Sequence, residues 1–264
     1  MIGGADNRAP GSRLFGVRWS VTRSLLPSIA ILAGACCAQA GVATFDGITF
    51  YDSHGKLYMP LRQVSRVLDW PLSKNHGHWV LHGSVVPAAR LHRLASGTAL
   101  VDVTWLKSAG AIVHRSKPAA FVVKDAKRPG KAFYVRRGMQ RVFVNKSTQT
   151  LLGVQGHQVV LRSQISTGME GHETPKGIFK IQSYRAKIHK SKLFANTPLP
   201  WAVQVVGNVF IHGDGDTHSR HSHGCIRLPV SGRNYARWFY FWVEPGTPVT
   251  ILGKWPAPFG KVKG

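Results

Sequence analysis

Residues 219–228 read SRHSHGCIRL, and the meaning of that stretch decides what the second half of the chain folds into. It holds Cys225, one of three cysteines among 264 residues, with His212, His218, His221 and His223 a few positions away. A metal site, a nucleophile and coincidence are the three readings. A structural zinc site wants four ligands at closed spacing, and this cluster offers one sulfur, with Asp214 and Asp216 as the nearby carboxylates. His221 and His223 would share a face of a strand, but no second cysteine joins them, so no metal is expected. A buried inert thiol is the usual state of a free cysteine, and it leaves His212-Gly213 and Ser222-His223-Gly224 unexplained.

The nucleophile reading explains more. A thiol attacks as thiolate, so it needs a neighbouring imidazole or aligned amides to draw off its proton. His212 ends the apolar run NVFIHG (208–213), and the Gly- and Asp-rich loop after it lets the chain return so that Cys225 meets His212. Gly224 lets the backbone approach a substrate closely, and the amides of Gly224 and Cys225 can face a developing oxyanion.

IHG followed by SHGCIRL resembles the signature of the L,D-transpeptidases, the YkuD-like catalytic domain of bacterial envelope enzymes. Upstream, ISTGMEGHETPKGIFKI is similar to that family's S-T-G … T-P-x-G-x-F segment, and downstream EPGTPVTIL looks like its closing strand. The resemblance covers residues 139–253 and implies a β-sandwich catalytic domain. It implies that Cys225 is the nucleophile and His212 its general base, with Gly213 holding the imidazole tautomer through its carbonyl. By the same resemblance Ser222, His223 and Gly224 shape the acyl-binding loop, Gly224 and Cys225 supply the oxyanion amides, and Arg227 contacts the acyl donor; Trp201 is a candidate wall of the donor groove, with a core tryptophan as the equal alternative. His218, Arg220 and His221 are read as loop residues, either simply exposed or in contact with an anionic substrate. No cofactor is implied, since sulfur supplies the covalent step and imidazole moves the protons.

The N-terminus carries a different signal. Arg8, Arg13, Arg18 and Arg23 precede an uncharged run ending Ala38-Gln39-Ala40, the pattern of a secretory leader cleaved after residue 40. An uncleaved membrane anchor is the alternative. Cleavage would remove Cys36 and Cys37 and leave Cys225 as a lone thiol, a liability in an oxidising compartment unless buried or used. The net charge of +24 suits an anionic partner. Export favours cell-wall polymer over nucleic acid, for which no basic stretch interleaved with aromatics is visible.

Between leader and catalytic region, residues 41–115 read as a small α/β module. Leu61, Val64, Val67 and Leu68 recur at helical spacing after a short strand, HWVLHG reads as a strand, and ALVDVTWLKSAG as a strand running into a helix. The module resembles the N-terminal domain of copper amine oxidases through LYMPLRQVSRVLDWPL and ALVDVTWLKSAGA, which implies a wall-binding role and no copper site. His76, His78 and His82 are read as surface or core histidines. Residues 116–138, rich in Lys, Arg, Pro and Gly, read as an exposed linker containing a strand. From Gln140 the pattern is mainly β, with one helix in SGRNYARWFYFW that Ser231 would cap, and residues 254–264 form a tail.

The expected function is therefore an exported transpeptidase acting on peptidoglycan stem peptides. The alternatives are an L,D-carboxypeptidase, a transferase that attaches lipoprotein, and a non-catalytic wall-binding protein.

Overall fold

The computed structural model describes residues 42–215, 217 and 222–253. The leader with Cys36 and Cys37, the loop residues His218, Arg220 and His221, and the tail 254–264 lie outside the described residues. Among the described residues no helix is long and apolar enough to cross a membrane.

The described chain opens with β1 (Ala43–Gly47) and β2 (Tyr58–Pro60), and β2 runs directly into α1 (Leu61–Leu68). Leu61, Val64 and Leu68 are buried on one face of α1 and Val67 packs partly buried beside them, as the spacing predicts. Asp69, left-handed at φ 54°, closes the helix. β3 (Leu72–Asn75), β4 (His78–Leu81) and β5 (Ser84–Val85) form a small meander. β6 (Leu91–Arg93) and β7 (Ala99–Asp102) join β2 in a second sheet. β7 turns into a 3₁₀ helix, Val103–Ala109, whose first turn is capped where Thr104 N donates to the Asp102 carboxylate at 2.9 Å. His82 stacks on Trp70 and its Nδ1 donates to the Ala109 carbonyl at 2.8 Å, so it is a packing residue; His76 and His78 are exposed.

Residues 116–138 are not the exposed linker that their composition predicts. β8 (Ala111–Lys117), β9 (Ala120–Asp125) and β10 (Ala132–Arg137) form an antiparallel sheet, and β1 adds to it parallel to β10. A two-residue alternation hides among the lysines: Phe121, Val123, Phe133 and Val135 are buried, while Lys124, Arg136 and Arg137 face solvent. Asp125 at the end of β9 is buried and accepts from Trp70 Nε1 at 2.7 Å and Arg128 Nε at 3.1 Å. Arg128 in turn donates to Leu68 O and Asp69 O at 2.9 and 3.0 Å, satisfying carbonyls at the end of α1. One arginine in the basic segment thus ties the sheet to the helix.

The second half builds the expected sandwich. β11 (Gln140–Asn145), β12 (Thr150–Gln155) and β13 (Gln158–Gln164) form a meander, joined by β14 (Gly177–Lys180) and β19 (Pro248–Leu252) in the order β13-β12-β11-β19-β14. Facing it are β15 (Arg185–Ser191), β16 (Thr197–Val206), β17 (Val209–Asp214) and β18 (Ile226–Pro229). Val142, Val144 and Leu151 of one sheet meet Val203, Val205, Ile211 and Ile226 of the other in a common core, closed by Phe239 and Trp242 of α2 (Tyr235–Trp242). Asn234, not Ser231, caps α2: its side chain accepts from Arg237 N, leaving Ser231 one turn too early.

The N-terminal segment enters this core as well, through Ile48, Phe50, Tyr58, Leu94, Ala95 and Leu100. At the seam, buried Gln155 donates to Thr49 Oγ1 and Gly138 O at 2.7 and 3.1 Å and accepts from Trp242 Nε1 at 2.9 Å. Gln140 donates to Trp242 O at 2.9 Å and accepts from Glu244 N and Thr247 Oγ1 at 2.9 and 3.0 Å. These groups would each be costly to bury unpaired.

The bond from Trp70, with further ones from Lys127 and Arg128, outweighs burial and holds the Asp125 carboxyl at about 2. A lowered carboxylate stabilises the fold above its ordinary value and loses that contribution as pH falls through about 2. Asp125→Asn is expected to cost about 2 kcal/mol at pH 7, with the gap to wild type closing as pH falls from 4 toward 2. Urea unfolding of both proteins across that range checks it, and a gap independent of pH would refute it.

Candidate active site

Side chains alternate along a strand, and the register of two strands fixes which of them meet. β17 and β18 pair in parallel with Ile211 opposite Ile226 and His212 opposite Arg227. Ile211, Ile226 and Leu228 are fully buried in the core. Phe210, His212 and Arg227 therefore project from the other face, and Cys225, one residue before β18 and two before Arg227, shares it. All four line a cleft of about 370 Å³ with His189 and Leu199.

His212 is 3 % exposed, and its Nδ1 lies 2.8 Å from the Gly213 carbonyl oxygen. A carbonyl only accepts, so Nδ1 carries the proton and Nε2 keeps its lone pair. Burial, reinforced by the charge of Arg227, moves His212 down from its usual 6.5 to about 4, against the opposing pull of the Gly213 carbonyl and of Asp214. Cys225 is half-buried, and its Sγ donates to Asn208 O at 3.6 Å in the turn between β16 and β17. Burial raises the Cys225 thiol above its ordinary value, and the Phe210 amide and Arg227 oppose that rise. The resting pair is thus neutral thiol and neutral imidazole. Arg227 also sets its Nε 3.2 Å from Asp214 Oδ2, within the same strand pair.

The loop before Cys225 is held from several sides. Ser222 Oγ donates to Cys225 O at 2.7 Å, and Met169 N donates to Ser222 O at 2.8 Å. Thr174 Oγ1 donates to Gly224 O at 2.8 Å while accepting from Gly168 N at 2.9 Å. Gly224 sits at φ 112°, a conformation that side chains disfavour. Gly168 has no room for one, because a Cβ there would lie 1.9 Å from His172 O and 2.9 Å from Gly224 Cα. The S-T-G and T-P elements of the sequence are therefore the brace of the cysteine loop: Ser166 exchanges backbone bonds with Arg227, and Thr167 N donates to Gln149 Oε1. His223 is exposed at the cleft rim, with its ring 4.8 Å from that of His172.

Trp201 is not part of the cleft. It adopts φ 55°, which resets the alternation of β16: Leu199 faces the cleft, Val203 faces the core, and the Trp201 ring packs on Tyr240 and Phe241 of α2. The strand pattern gives no sign of that reversal. Lys146, in the turn after β11, also belongs to the site, although no motif in the sequence marks it. It is 4 % exposed, and its Nζ donates to Thr174 O at 2.6 Å. Burial lowers its pKa, with the charge of Lys176 adding to the shift. Asn208, Phe210 and His189 belong to the cleft without any motif marking them. Among the described residues no His, Cys, Asp and Glu side chains group as a metal would require.

Residues 139–251 match the family model described as the YkuD L,D-transpeptidase catalytic domain. No curated protein matches the chain. Among solved structures, an L,D-transpeptidase from Stackebrandtia nassauensis is 26% identical with a TM-score of 0.42, over 46% of this chain and 58% of that one. L,D-transpeptidase 1 of Mycobacterium tuberculosis aligns over 81% of this chain and 98% of its own at 18% identity and TM-score 0.37. The catalytic domain of an E. faecium L,D-transpeptidase aligns over 43% and 96%, at 23% identity and TM-score 0.33. The resemblance of residues 41–115 to copper amine oxidases has no counterpart in these matches.

A histidine whose folded pKa lies near 4 binds fewer protons than the unfolded chain between about pH 6.5 and 4, so stability falls as pH drops through that window. The loss is expected to reach about 3 kcal/mol and to be absent in His212→Asn; equal slopes in denaturant titrations of the two proteins would refute it. Thr174→Val removes both bonds of the latch while keeping its volume, and is expected to slow alkylation of Cys225 by iodoacetamide about tenfold in folded protein. An unchanged rate would mean that the latch does not set the thiol's position.

Proposed function

We propose that residues 139–251 act as an L,D-transpeptidase domain in which Cys225 is the nucleophile, His212 the general base and peptidoglycan stem peptides the substrate. What supports this reading is that His212 on β17, with an Nε2 lone pair, and the Cys225 thiol just before β18 line one cleft, in a region that matches the family model. The Cys225 sulfur attacks the carbonyl of the L-centre of the third-position diamino acid in a tetrapeptide stem. His212 Nε2 takes the thiol proton as the sulfur–carbon bond forms, then returns it to the departing amine, so D-alanine leaves neutral at nitrogen. A thioester remains. The amine of a neighbouring stem attacks it, gives a proton to His212 and forms the amide of a 3–3 cross-link, and the sulfur regains its proton.

The neutral resting pair bears on how this starts. With His212 near 4 and the thiol raised, little thiolate exists before a substrate arrives. Proton transfer therefore belongs to the attack itself, as in general base catalysis. Oxyanion charge would fall on the amides of Gly224 and Cys225, whose orientation the Thr174 and Ser222 bonds hold. Arg227, at the cleft wall, suits the carboxylates of the acyl donor. The basic leader segment and apolar run of residues 1–40 support export to the envelope, and the +24 charge supports an anionic wall as partner.

Intact-mass measurement of wild type and Cys225→Ala with disaccharide-tetrapeptides, and separately with a carbapenem, tests the reading. A covalent adduct on wild type alone, with D-alanine released and new dimeric muropeptides, is the expected result. His212→Ala is expected to slow acylation by about 10²–10⁴-fold. D-alanine release without dimers would make water the acceptor, and an unmodified Cys225 in folded protein would end the enzyme reading.

A further inference from the structure

Where the N-terminal segment meets α2, a recess of about 290 Å³ opens that is lined by three arginines, Arg93, Arg233 and Arg237. Its floor is aromatic. Phe50 stacks on His92 with centroids 4.1 Å apart and meets Trp238 edge-on at 6.0 Å, and Phe241 completes the lining. None of these residues belongs to the cleft at Cys225.

The arginines are held in place. Arg93 Nη1 donates to Gly97 O at 3.1 Å and Arg233 Nη1 donates to Ala95 O at 3.0 Å, so both guanidinium groups are tied to one turn between β6 and β7. Gly97 lies directly under Arg233: a Cβ there would come within 3.4 Å of the guanidinium. The Arg237 guanidinium stands 5.5 Å from the Phe241 ring centroid and 5.8 Å from that of Trp201. The Trp238 indole is fixed by its own donation to Arg93 O at 2.8 Å. A guanidinium carries five N–H donors, and Arg93 and Arg233 each engage one on the protein in this way. Both side chains line the recess, against the single carboxylate of Asp52 in its lining.

Two fixed forks above a fixed aromatic floor suit a ligand with a planar anion at one edge and an apolar face on its body. Arginine binds carboxylates in bidentate geometry, and a pyranose ring presents axial C–H bonds that lie flat on an indole or phenyl ring. We propose that this recess binds an acidic sugar unit of a glycan chain, with its carboxylate on Arg93 and Arg233 and its ring on Trp238 and Phe241. The site would hold the chain on peptide-free units of a glycan, whose carboxylate is not taken up in an amide to a stem, while Cys225 works on a peptide elsewhere, and its existence does not depend on the reaction at Cys225.

The test is equilibrium binding of the full chain to an oligosaccharide of alternating N-acetylglucosamine and N-acetylmuramic acid, with neutral chito-oligosaccharide and polyglutamate as competitors. Arg93→Ser and Arg233→Ser are each expected to weaken binding about tenfold, and Asp52→Asn to strengthen it, a gain that misfolding cannot produce. Lys107→Ser removes equal charge elsewhere and is expected to leave binding unchanged. Carbapenem acylation of Cys225, followed in the same samples, reports folding and the other site separately. Equal competition by chito-oligosaccharide would overturn the carboxylate fork, equal competition by polyglutamate would overturn the sugar, and equal weakening by the lysine variant would reduce the effect to net charge.

Discussion

Pairing Ile211 with Ile226 sends two isoleucines into the core, and everything at the cleft follows from that choice. A slip of one residue between β17 and β18 would turn His212 or Cys225 inward, where neither could meet a substrate. Full burial of Ile211, Ile226 and Leu228 makes such a slip costly, by about 1.5–3 kcal/mol for each side chain forced into water. Packing energy in the core thus fixes chemical geometry on the opposite face. The brace of Ser166, Gly168 and Thr174 then positions a loop whose starting point the register has already chosen.

The same economy of means joins the two halves of the chain. Hydrophobic residues from the N-terminal segment complete the sandwich core, and two glutamines, Gln140 and Gln155, satisfy the backbone and side-chain groups stranded at the seam. Farther out, Arg128 closes α1 onto the sheet through Asp125. The recess holding Arg93 and Arg233 depends on this seam: its walls come from the segment after β1, from β6 and from α2 with the residues that lead into it, which only the folded junction brings together.

Much of this was legible in the sequence. The helix at Leu61–Leu68 and the meander from Gln140 to Gln164 follow from periodicity, IHG and SHGC mark residues that line the cleft, and TPxG marks the brace behind the cysteine loop. The failures share a cause, which is that composition concealed geometry. Lysines and arginines masked the alternation of β9 and β10, and the polar run RAKIHKS gave no sign of β15, an edge strand whose His189 stacks on Phe210 in the cleft. Trp201, open in the sequence between groove wall and core, packs on α2 because a single positive φ reverses the face of β16. Lys146, beside a polar turn, looked solvated and is instead buried under the brace.

A neutral, half-buried thiol leaning on the Asn208 carbonyl has a bearing on survival as well as on chemistry. Peroxides and disulfides react with thiolate, and a protonated sulfur is nearly inert to them. Because the fold raises the Cys225 pKa and leaves His212 uncharged, the sulfur resists sulfenic acid formation and mixed disulfides while it waits. With Cys225 as nucleophile and His212 as base, as proposed, a substrate seated in the cleft would meet a sulfur whose proton is drawn off as it attacks, while a small electrophile meets only the small resting fraction of thiolate. Selectivity against oxidants is in this way a property of the resting protonation state, and it requires no second cysteine for rescue.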